Sequence, residues 1–217
     1  VYTDQFNTTV KNCKINNFNT TIGYYDSIGI YFLGADNGTI FNCYANNSNS
    51  AGIYLTGNAN YNNITNSIGI TANSSQGIRL HDSHYNILLN NVGITKTNEG
   101  FGVTGGSSYN TIINQTAFSQ SGRGVFFWQG AHDNVLIGLN ASTSTSGEAI
   151  RFHNATNNII MDCVFLDGAS YDIYYYTELG STGNVFLNCD YDTEYITPSN
   201  SLIRQWYYRA YAPSWVY

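Results

Sequence analysis

Apolar residues recur along this chain in short alternating runs that are separated by asparagine, glycine and serine. The segments "YNNITNSIGIT" (61–71), "YNILLNNVGIT" (85–95) and "YNTIINQTAFS" (109–119) share one order: an asparagine, an apolar run and a second asparagine. Short alternating runs between turn residues predict β-strands. Ile, Val, Thr, Tyr and Phe are plentiful whereas Glu, Lys, Leu and Met are scarce, which favours an all-β chain.

The second asparagine of this motif marks a repeat. Its positions along the chain are Asn12, Asn42, Asn66, Asn90, Asn114, Gly138, Asp162 and Asn188. Successive positions are 30, 24, 24, 24, 24, 24 and 26 residues apart. Each unit also carries a second apolar run that begins with a small residue, such as "GIYFL" from Gly29 and "AIRFH" from Ala149. A propeller blade needs about 40 residues, so a unit of about 24 predicts one coil of a parallel β-helix.

We therefore predict an all-β fold: a right-handed, single-stranded parallel β-helix (a solenoid) of about seven or eight coils. The helix is expected over residues 1–190, and an aromatic-rich cap or junction over residues 191–217. Equivalent residues of successive coils stack about 4.8 Å apart, so the marker asparagines can hydrogen-bond to one another in a ladder. Asparagine also tolerates the left-handed backbone of a sharp turn. We expect this ladder to lie in buried turns.

The order Gly-Ile-x-Leu, polar turn, Asn-x-Ile-x-Asn resembles the repeats of NosD-like right-handed parallel β-helices, in the pectate-lyase-like superfamily. The resemblance covers roughly residues 6 to 190 and implies the fold more than a function, because the superfamily contains lyases, hydrolases, epimerases, tailspikes and surface proteins. The closing segment "SLIRQWYYRAYAPSWVY" resembles the junction that follows such helices in large archaeal cell-surface proteins. That second resemblance implies that the chain is a piece of a longer protein.

The familiar association of NosD with copper finds no support in the residues. Met161 is the only methionine and the four histidines are scattered, so the sequence predicts no metal site and no cofactor.

The cysteines all occupy one column of the repeat, because Cys13, Cys43, Cys163 and Cys189 each directly follow the marker position. A stacking distance near 4.8 Å falls inside the range of about 4.4 to 6.8 Å that a disulfide requires. The column therefore predicts either disulfides between Cys13 and Cys43 and between Cys163 and Cys189 or, equally, stacked buried thiols.

Charge and sequons bear on location and partners. Charged residues make up 10% of the chain, the net charge is −6, and no Lys/Arg cluster is present, which argues against nucleic-acid binding. No apolar run approaches the roughly 20 residues of a membrane helix. Candidate glycosylation sites in Asn-x-Ser/Thr sequons are Asn7, Asn19, Asn37, Asn46, Asn63, Asn73, Asn114, Asn140 and Asn154. Such sequons favour an extracellular or cell-surface location.

The runs that follow the small residue predict a possible binding face. Their second and fourth residues should point into the core, so the alternate residues point outward. The outward candidates for binding are Tyr54, Arg79, His81, Phe126, Trp128, Arg151, His153 and Tyr174. Sugar rings stack on aromatic faces while Arg and His donate hydrogen bonds, and Trp128 is the foremost candidate. Ordinary cross-strand pairing and subunit assembly could also account for these residues.

No catalytic residue is assigned. Asp82 with Arg79 and His81, or Glu148 with Arg151 and His153, could serve a lyase or a hydrolase, but neither is a recognised catalytic motif. We therefore favour an extracellular structural or surface protein, resembling a lattice element, that contacts carbohydrate or neighbouring protein subunits. Homo-oligomers or end-to-end assembly through open sheet edges are possible. The alternative is a polysaccharide lyase, hydrolase or epimerase.

Overall fold

The computed structural model describes residues 1–18, 28–176 and 180–207. These residues form strands and turns, and there is no helix among them. Every strand pairs in parallel with its neighbours, and the strands are divided among three sheets, A, B and C.

The strands are numbered in chain order. Sheet A contains, in spatial order, β1 (Tyr2–Thr3), β4 (Ile30–Leu33), β7 (Ile53–Thr56), β10 (Ile78–His81), β13 (Glu99–Thr104), β16 (Arg123–Trp128), β19 (Glu148–His153), β22 (Tyr171–Tyr175) and β24 (Glu194–Tyr195). Sheet B contains β2 (Thr9–Lys11), β5 (Thr39–Phe41), β8 (Asn63–Thr65), β11 (Ile87–Leu89), β14 (Thr111–Ile113), β17 (Val135–Ile137), β20 (Ile159–Met161), β23 (Asn184–Leu187) and β25 (Leu202–Gln205). Sheet C contains β3 (Lys14–Phe18), β6 (Tyr44–Asn47), β9 (Ile68–Thr71), β12 (Val92–Thr95), β15 (Thr116–Ser119), β18 (Asn140–Thr143) and β21 (Phe165–Asp167).

The chain visits sheets A, B and C in turn and then starts the next coil. Because sheet C has 7 strands, there are seven complete coils of the predicted parallel β-helix. Strands β24 and β25 continue sheets A and B within the segment that was predicted to be a cap or junction. Residues 208–217 of that segment lie outside the described residues.

The core is a column of inward side chains between the sheets. The residues predicted to point inward are confirmed as buried: Ile30, Phe32, Ile53, Leu55, Ile78, Leu80, Val125, Phe127, Ile150 and Phe152. Phe127 stacks on Phe152 at 4.9 Å between ring centroids, and Phe152 stacks on Tyr175 at 4.8 Å. The repeat of the chain thus becomes a repeat of packing, in which each buried aromatic ring contributes about 2 to 3 kcal/mol.

The small residue at the start of each sheet A run has a steric cause. A Cβ atom on Gly77 would overlap the backbone nitrogen of Ile94, and one on Gly100 would overlap that of Phe118. Sheets A and C therefore approach backbone to backbone at this edge, where even a methyl group does not fit at these glycines.

The marker asparagines form the predicted ladder, but on the outside. Asn42 Nδ2 donates to Asn12 Oδ1 at 2.9 Å, and Asn114 Nδ2 donates to Asn90 Oδ1 at 3.0 Å. Their φ angles are positive, at 52° for Asn42 and 55° for Asn90, which confirms the left-handed turn. The side chains are exposed, so the expectation that this ladder lies in buried turns is wrong.

The buried ladder is made by the first asparagine of the motif. Its members are Asn62, Asn86, Asn110, Asn134, Asn158 and Asn184. The backbone N–H and the side-chain amide of Asn86 both donate to Asn110 Oδ1, at 2.9 and 3.0 Å. Asn110 Nδ2 also donates to the carbonyl of Ser83 at 3.0 Å. This ladder satisfies buried backbone groups at the turn from sheet A to sheet B.

One of the two predicted disulfides is present. Cys163 is bonded to Cys189, with their Cα atoms 4.7 Å apart. Cys13 and Cys43 are free thiols in this structure, which is the alternative of stacked thiols. Burial, aided by a hydrogen bond with Cys43, raises the pKa of Cys13 to about 12.

Replacing Asn110 by alanine should lower the free energy of unfolding by about 3 kcal/mol, because buried donors on Asn86 and the carbonyl of Ser83 lose their partners. The control is Asn114→Gly, which keeps the left-handed turn and removes only the exposed bond to Asn90; it should cost about 1 kcal/mol or less. Urea denaturation measures both. Equal losses in the two variants would contradict the assignment of the inner ladder.

The two cysteine pairs should respond differently to substitution. Without reductant, Cys163→Ser should lose about 3 kcal/mol of stability, because the loop closed by the disulfide is opened, whereas Cys13→Ser should lose less than about 1 kcal/mol.

Alkylation of Cys13 should be slow at pH 8 and accelerate as the pH approaches 12, because the thiolate is the nucleophile and the raised pKa of the thiol keeps the thiolate scarce. Urea denaturation measures the two stabilities, and mass spectrometry follows the alkylation. Rapid labelling of Cys13 at pH 8 would contradict this account.

Candidate functional site

The outward residues of sheet A are aligned from coil to coil as the sequence predicts. Arg79 is in register with Tyr54 on one side and with Gly102 on the other. In the next two strands of the sheet, Phe126 is in register with Gly102, and Arg151 is in register with Phe126. A second column contains the register pairs of His81 with Thr104 and of Trp128 with His153. The remaining predicted residue, Tyr174, is in register with Arg151.

Alignment does not make all of these side chains accessible. Tyr54 is 3% exposed because it is held between the ring of Tyr31, at 5.5 Å, and the guanidinium of Arg79, at 5.1 Å. Phe126 is 7% exposed because it stacks on Trp128 at 5.7 Å and lies under the guanidinium of Arg123 at 4.9 Å. Tyr54 and Phe126 therefore point outward but are buried by their neighbours. The other six candidates are half-buried.

Arg79 and His81 form a small polar cluster with Thr104. Arg79 Nη2 lies 3.3 Å from His81 Nδ1, and Arg79 Nε donates to Thr104 Oγ1 at 3.2 Å. Burial, and then the positive charge of Arg79, lower the pKa of His81, while Asp82 opposes the shift. The carboxylate of Asp82 lies 3.6 Å from His84 Nε2. Arg79 and His81, which the sequence grouped with Asp82, thus contact each other, and Asp82 is paired with His84.

The most unusual feature of sheet A is a network of two buried carboxylates and two half-buried arginines at the start of three consecutive strands. Glu99 and Glu148 are 3% and 6% exposed, and Arg123 stands in register between them. Arg123 Nη1 lies 2.9 Å from Glu99 Oε1, and Arg123 Nε lies 3.9 Å from Glu148 Oε2. Arg151 Nη2 lies 2.6 Å from Glu148 Oε1. Two carboxylates and two guanidinium groups thus compensate one another.

Such a network needs an explanation in a chain with 10% charged residues. Burying a carboxylate costs free energy unless hydrogen bonds and an opposite charge replace its water. Glu99 receives both, because it also accepts a hydrogen bond of 2.8 Å from the amide of Gln76. A sheet surface does not require ions at this depth, so we treat the network as part of a candidate site.

The outward column lacks a side chain at Gly102, beside the network. Gly102 stands between Arg79 and Phe126 and is buried, because Gln76 Cγ, Arg79 Cγ and Thr104 Cγ2 lie 3.4, 3.7 and 3.8 Å from the position of a Cβ atom there. A cleft of about 400 Å³ opens on the same face. The cleft is lined by Gln76, Asn98, Glu99, Thr104, Arg123, Phe126, Trp128, Arg151, His153 and Tyr176.

The cleft joins four of the eight predicted binding residues: Phe126, Trp128, Arg151 and His153. Tyr54, Arg79, His81 and Tyr174 are on the same face but do not line it. Sequence reasoning missed Arg123. The signal for Arg123 was its register, since Glu99, Arg123 and Glu148 follow one another at the spacing of the repeat.

A second hollow of about 270 Å³ lies on the other side of the ion network. Arg123, Glu148 and Arg151 line this hollow. Arg123 and Arg151 also line the cleft, and Glu148 borders it. Its remaining wall is rich in hydroxyl groups from successive turns between sheets C and A: Thr97, Ser121, Ser146 and Ser170. Hydroxyl groups and paired ions thus flank the aromatic part of the cleft.

Most of the sequons lie at the surface. Asn7, Asn37, Asn63, Asn73, Asn114 and Asn154 are exposed, and Asn46 and Asn140 are half-buried. Asn19 lies outside the described residues. Their glycosylation stays a prediction. Within the described ranges there is also no helix that is long and apolar enough to cross a membrane.

Comparison with known families extends the structural result. A family model described as "Periplasmic copper-binding protein (NosD)" matches residues 2–207. The chain belongs to the NosD family. Membership confirms the resemblance drawn from the repeats and indicates an extracellular or periplasmic β-helix protein. The chain has no match among curated proteins or solved structures.

Copper, which the description of the NosD family names, does not fit the side chains of this chain. Among the described residues, no three His, Cys, Asp or Glu side chains are close enough to hold a metal ion. Met161 is in register with Ile137 and Leu187, so its thioether has aliphatic neighbours in the sheet. The set of imidazole and sulfur ligands that copper prefers is therefore not assembled in this part of the molecule.

Proposed function

We propose that the protein is an extracytoplasmic β-helix that binds carbohydrate in the cleft lined by Trp128. The observation that carries the proposal is the position of Trp128, whose half-buried indole shares one cleft with Glu99, Arg123 and Arg151 of the ion network. Aromatic faces take up the apolar C–H faces of sugars, and polar groups around them bind the hydroxyls. Both elements are present within a single concave surface.

The indole is preorganised for such stacking. Phe126 supports one face of Trp128, with ring planes 11° apart, and His153 lies beside it at 6.4 Å. The strand registry fixes all three residues in place. A side chain already held in one arrangement loses little entropy on binding, which favours affinity.

The contacts of the two glutamates support binding rather than hydrolysis. A hydrolase needs one carboxyl group to donate a proton and another to act as base or nucleophile. Glu99 instead accepts hydrogen bonds from Arg123 and Gln76, and Glu148 accepts one from Arg151. Incubation with polysaccharides tests the enzymatic alternative, because release of reducing ends or of ultraviolet-absorbing unsaturated products would favour a hydrolase or a lyase.

Replacing Trp128 by alanine should weaken binding of a polysaccharide ligand at least tenfold, because a central aromatic contact is lost. The melting temperature should change little, since the core ring Phe127 remains. Trp206→Ala is the matched control, because that indole is 48% exposed and lies outside the cleft. A glycan array identifies the ligand, and calorimetry measures the affinities. Unchanged affinity in Trp128→Ala would contradict the proposal.

The outer face of sheet B suggests a second role, in self-association. Its two outward columns are largely aliphatic over five coils: Ile87, Leu89, Ile113, Val135, Ile137, Ile159, Met161, Val185 and Leu187. These columns contain no charged residue between Asn63 and Leu187. In a chain of net charge −6, an uncharged face is where two copies approach with least repulsion. We propose a second copy, related by a twofold axis, as the partner of this face.

Sedimentation tests this interface. The protein should be dimeric at about 100 μM and should become monomeric in Ile137→Lys, because a buried lysine would be unpaired in the centre of the contact. Thr116→Lys, on the outer face of sheet C, is the control and should remain dimeric. A wild-type protein that is monomeric at this concentration would contradict self-association through sheet B.

A further inference from the structure

We infer that Asn37 is an N-glycosylation site whose first sugar ring stacks on the exposed ring of Tyr61. Asn37 begins the sequon Asn-Gly-Thr at residues 37–39. Both residues belong to the turn from sheet A to sheet B, and neither lines the cleft of Trp128. This glycan and the ligand of the cleft are therefore independent of each other.

Three exposed tyrosines stack on one another at this turn. The ring centroids of Tyr61 and Tyr85 are 5.1 Å apart with planes 6° from parallel, and those of Tyr85 and Tyr109 are 5.1 Å apart at 8°. Their φ angles are 57°, 56° and 56°, a left-handed backbone that bulky residues rarely adopt. At the same turn, other coils have residues that tolerate this backbone: Asn7, Asn37, Asp133, Asn157 and Gly183. Tyrosine thus occupies three coils for its ring and against the preference of its backbone.

The two ends of the stack differ. At one end, the edge of the His132 ring packs against Tyr109, with centroids 5.8 Å apart and planes 85° apart. At the other end, no further aromatic ring of the described residues follows Tyr61. Tyr61 is accordingly 57% exposed, against 46% for Tyr85 and 49% for Tyr109. One face of the Tyr61 ring is covered by Tyr85, and the opposite face is open towards the preceding coil.

Asn37 occupies the equivalent position of that preceding coil. The N–H of Asn37 donates to the carbonyl of Asn60 at 3.0 Å, just as the N–H of Tyr61 donates to the carbonyl of His84 at 3.2 Å. Equivalent residues of adjacent coils are about 4.8 Å apart. A group attached to Asn37 Nδ2 therefore starts beside the open face of Tyr61.

A sugar ring fits this position chemically, because its apolar C–H face can stack on the aromatic face while its hydroxyls stay in water. The covalent link forms between Asn37 Nδ2 and the anomeric carbon of a lipid-pyrophosphate-linked oligosaccharide. The bond from that carbon to the pyrophosphate oxygen breaks, and Nδ2 loses one proton. An oligosaccharyltransferase outside the cytoplasm is the class of enzyme that performs this step, and the family indicates such a location.

Sequons elsewhere on the surface are engaged differently. Asn73 Nδ2 donates to Asn49 Oδ1 at 2.7 Å, and Asn114 Nδ2 donates to Asn90 Oδ1 at 3.0 Å. A glycan on either nitrogen would compete with that bond between coils. The side-chain amide of Asn37 is exposed and belongs to no such ladder among the described residues. A glycan at Asn37 thus gains an aromatic contact without replacing a hydrogen bond.

Occupancy and stabilisation are measured on the full chain secreted from a host that performs N-glycosylation. Mass spectrometry of glycopeptides should find a glycan on Asn37. Thr39→Val removes the sequon and keeps Asn37 in its left-handed turn; it should lower the melting temperature of the glycosylated protein by about 2 to 4 °C, because a stacking contact is lost. In protein from a host without N-glycosylation, Thr39→Val should shift the melting temperature by less than about 1 °C.

Two matched variants locate the contact. Tyr61→Gly and Tyr109→Gly each relieve the left-handed backbone and remove one exposed ring, but only Tyr61 borders Asn37. The loss caused by Thr39→Val should disappear in Tyr61→Gly and persist in Tyr109→Gly. In NMR spectra, the ring current of Tyr61 should shift protons of the first sugar upfield, and Tyr61→Gly should abolish the shift. Tyr61→Asn replaces Tyr61→Gly if the latter does not fold.

An unmodified Asn37 in the secreted protein would overturn the glycosylation site. A modified Asn37 whose stabilisation and NMR shifts persist in Tyr61→Gly would overturn the stacking. A stabilisation that is lost equally in Tyr61→Gly and Tyr109→Gly would overturn the contact at the open end of the stack. Binding in the cleft is tested separately by Trp128→Ala.

Discussion

The architecture depends on the hydrogen bonds of the inner asparagine column. Where the chain turns from sheet A to sheet B, buried backbone donors need an acceptor, and the side-chain oxygen of the asparagine one coil further supplies it. A buried donor without a partner would cost about 1 to 3 kcal/mol at each coil. The column also sets the axial register. A slip of one residue would move core side chains such as Phe127 to the surface, so the alignment of Trp128 with His153 follows from the same bonds.

The candidate site occurs where sheet A becomes wider. The strands β4, β7 and β10 have 4 residues each, whereas β13, β16 and β19 have 6. The added residues include Glu99, Arg123 and Glu148, and they bring one charged side chain per coil into register at the start of these strands. The ion network is thus a consequence of longer pairing. The cleft lies between this network and the aromatic ends of the same strands.

Periodicity made the fold predictable, since each repeat in the chain becomes one step along the axis. It also gave the outward columns, including Arg79, Phe126 and Arg151, because side chains alternate along a strand. Alternation ends at the left-handed turn, however. Asn86 and Asn90 are an even number of residues apart, yet Asn86 points inward and Asn90, with a positive φ, points outward. The sequence motif contains both asparagines and does not distinguish the buried one.

Exposure was less predictable than direction. Tyr54 and Phe126 point outward as expected, but neighbouring side chains cover them. Tyr54 is covered by Tyr31 and Arg79 of the adjacent coils, about 24 positions away. Phe126 is covered by Arg123 and Trp128 of its own strand. Local sequence patterns predict the backbone well, whereas a functional site depends on combinations of side chains that local patterns do not contain.

The residues that carry the NosD family pattern and the residues that line the cleft occupy different positions of the same repeat. A solenoid is held by its inward residues, its turn residues and the small residues where sheets A and C meet, so those positions carry the family pattern. Outward positions of sheet A face no such requirement. Paired ions, an indole and a glycine can occupy them without cost to the coil, and copper ligands can be missing from them for the same reason. The chemistry of this protein must therefore be inferred from outward residues such as Arg123 and Trp128, and not from the fold that holds them.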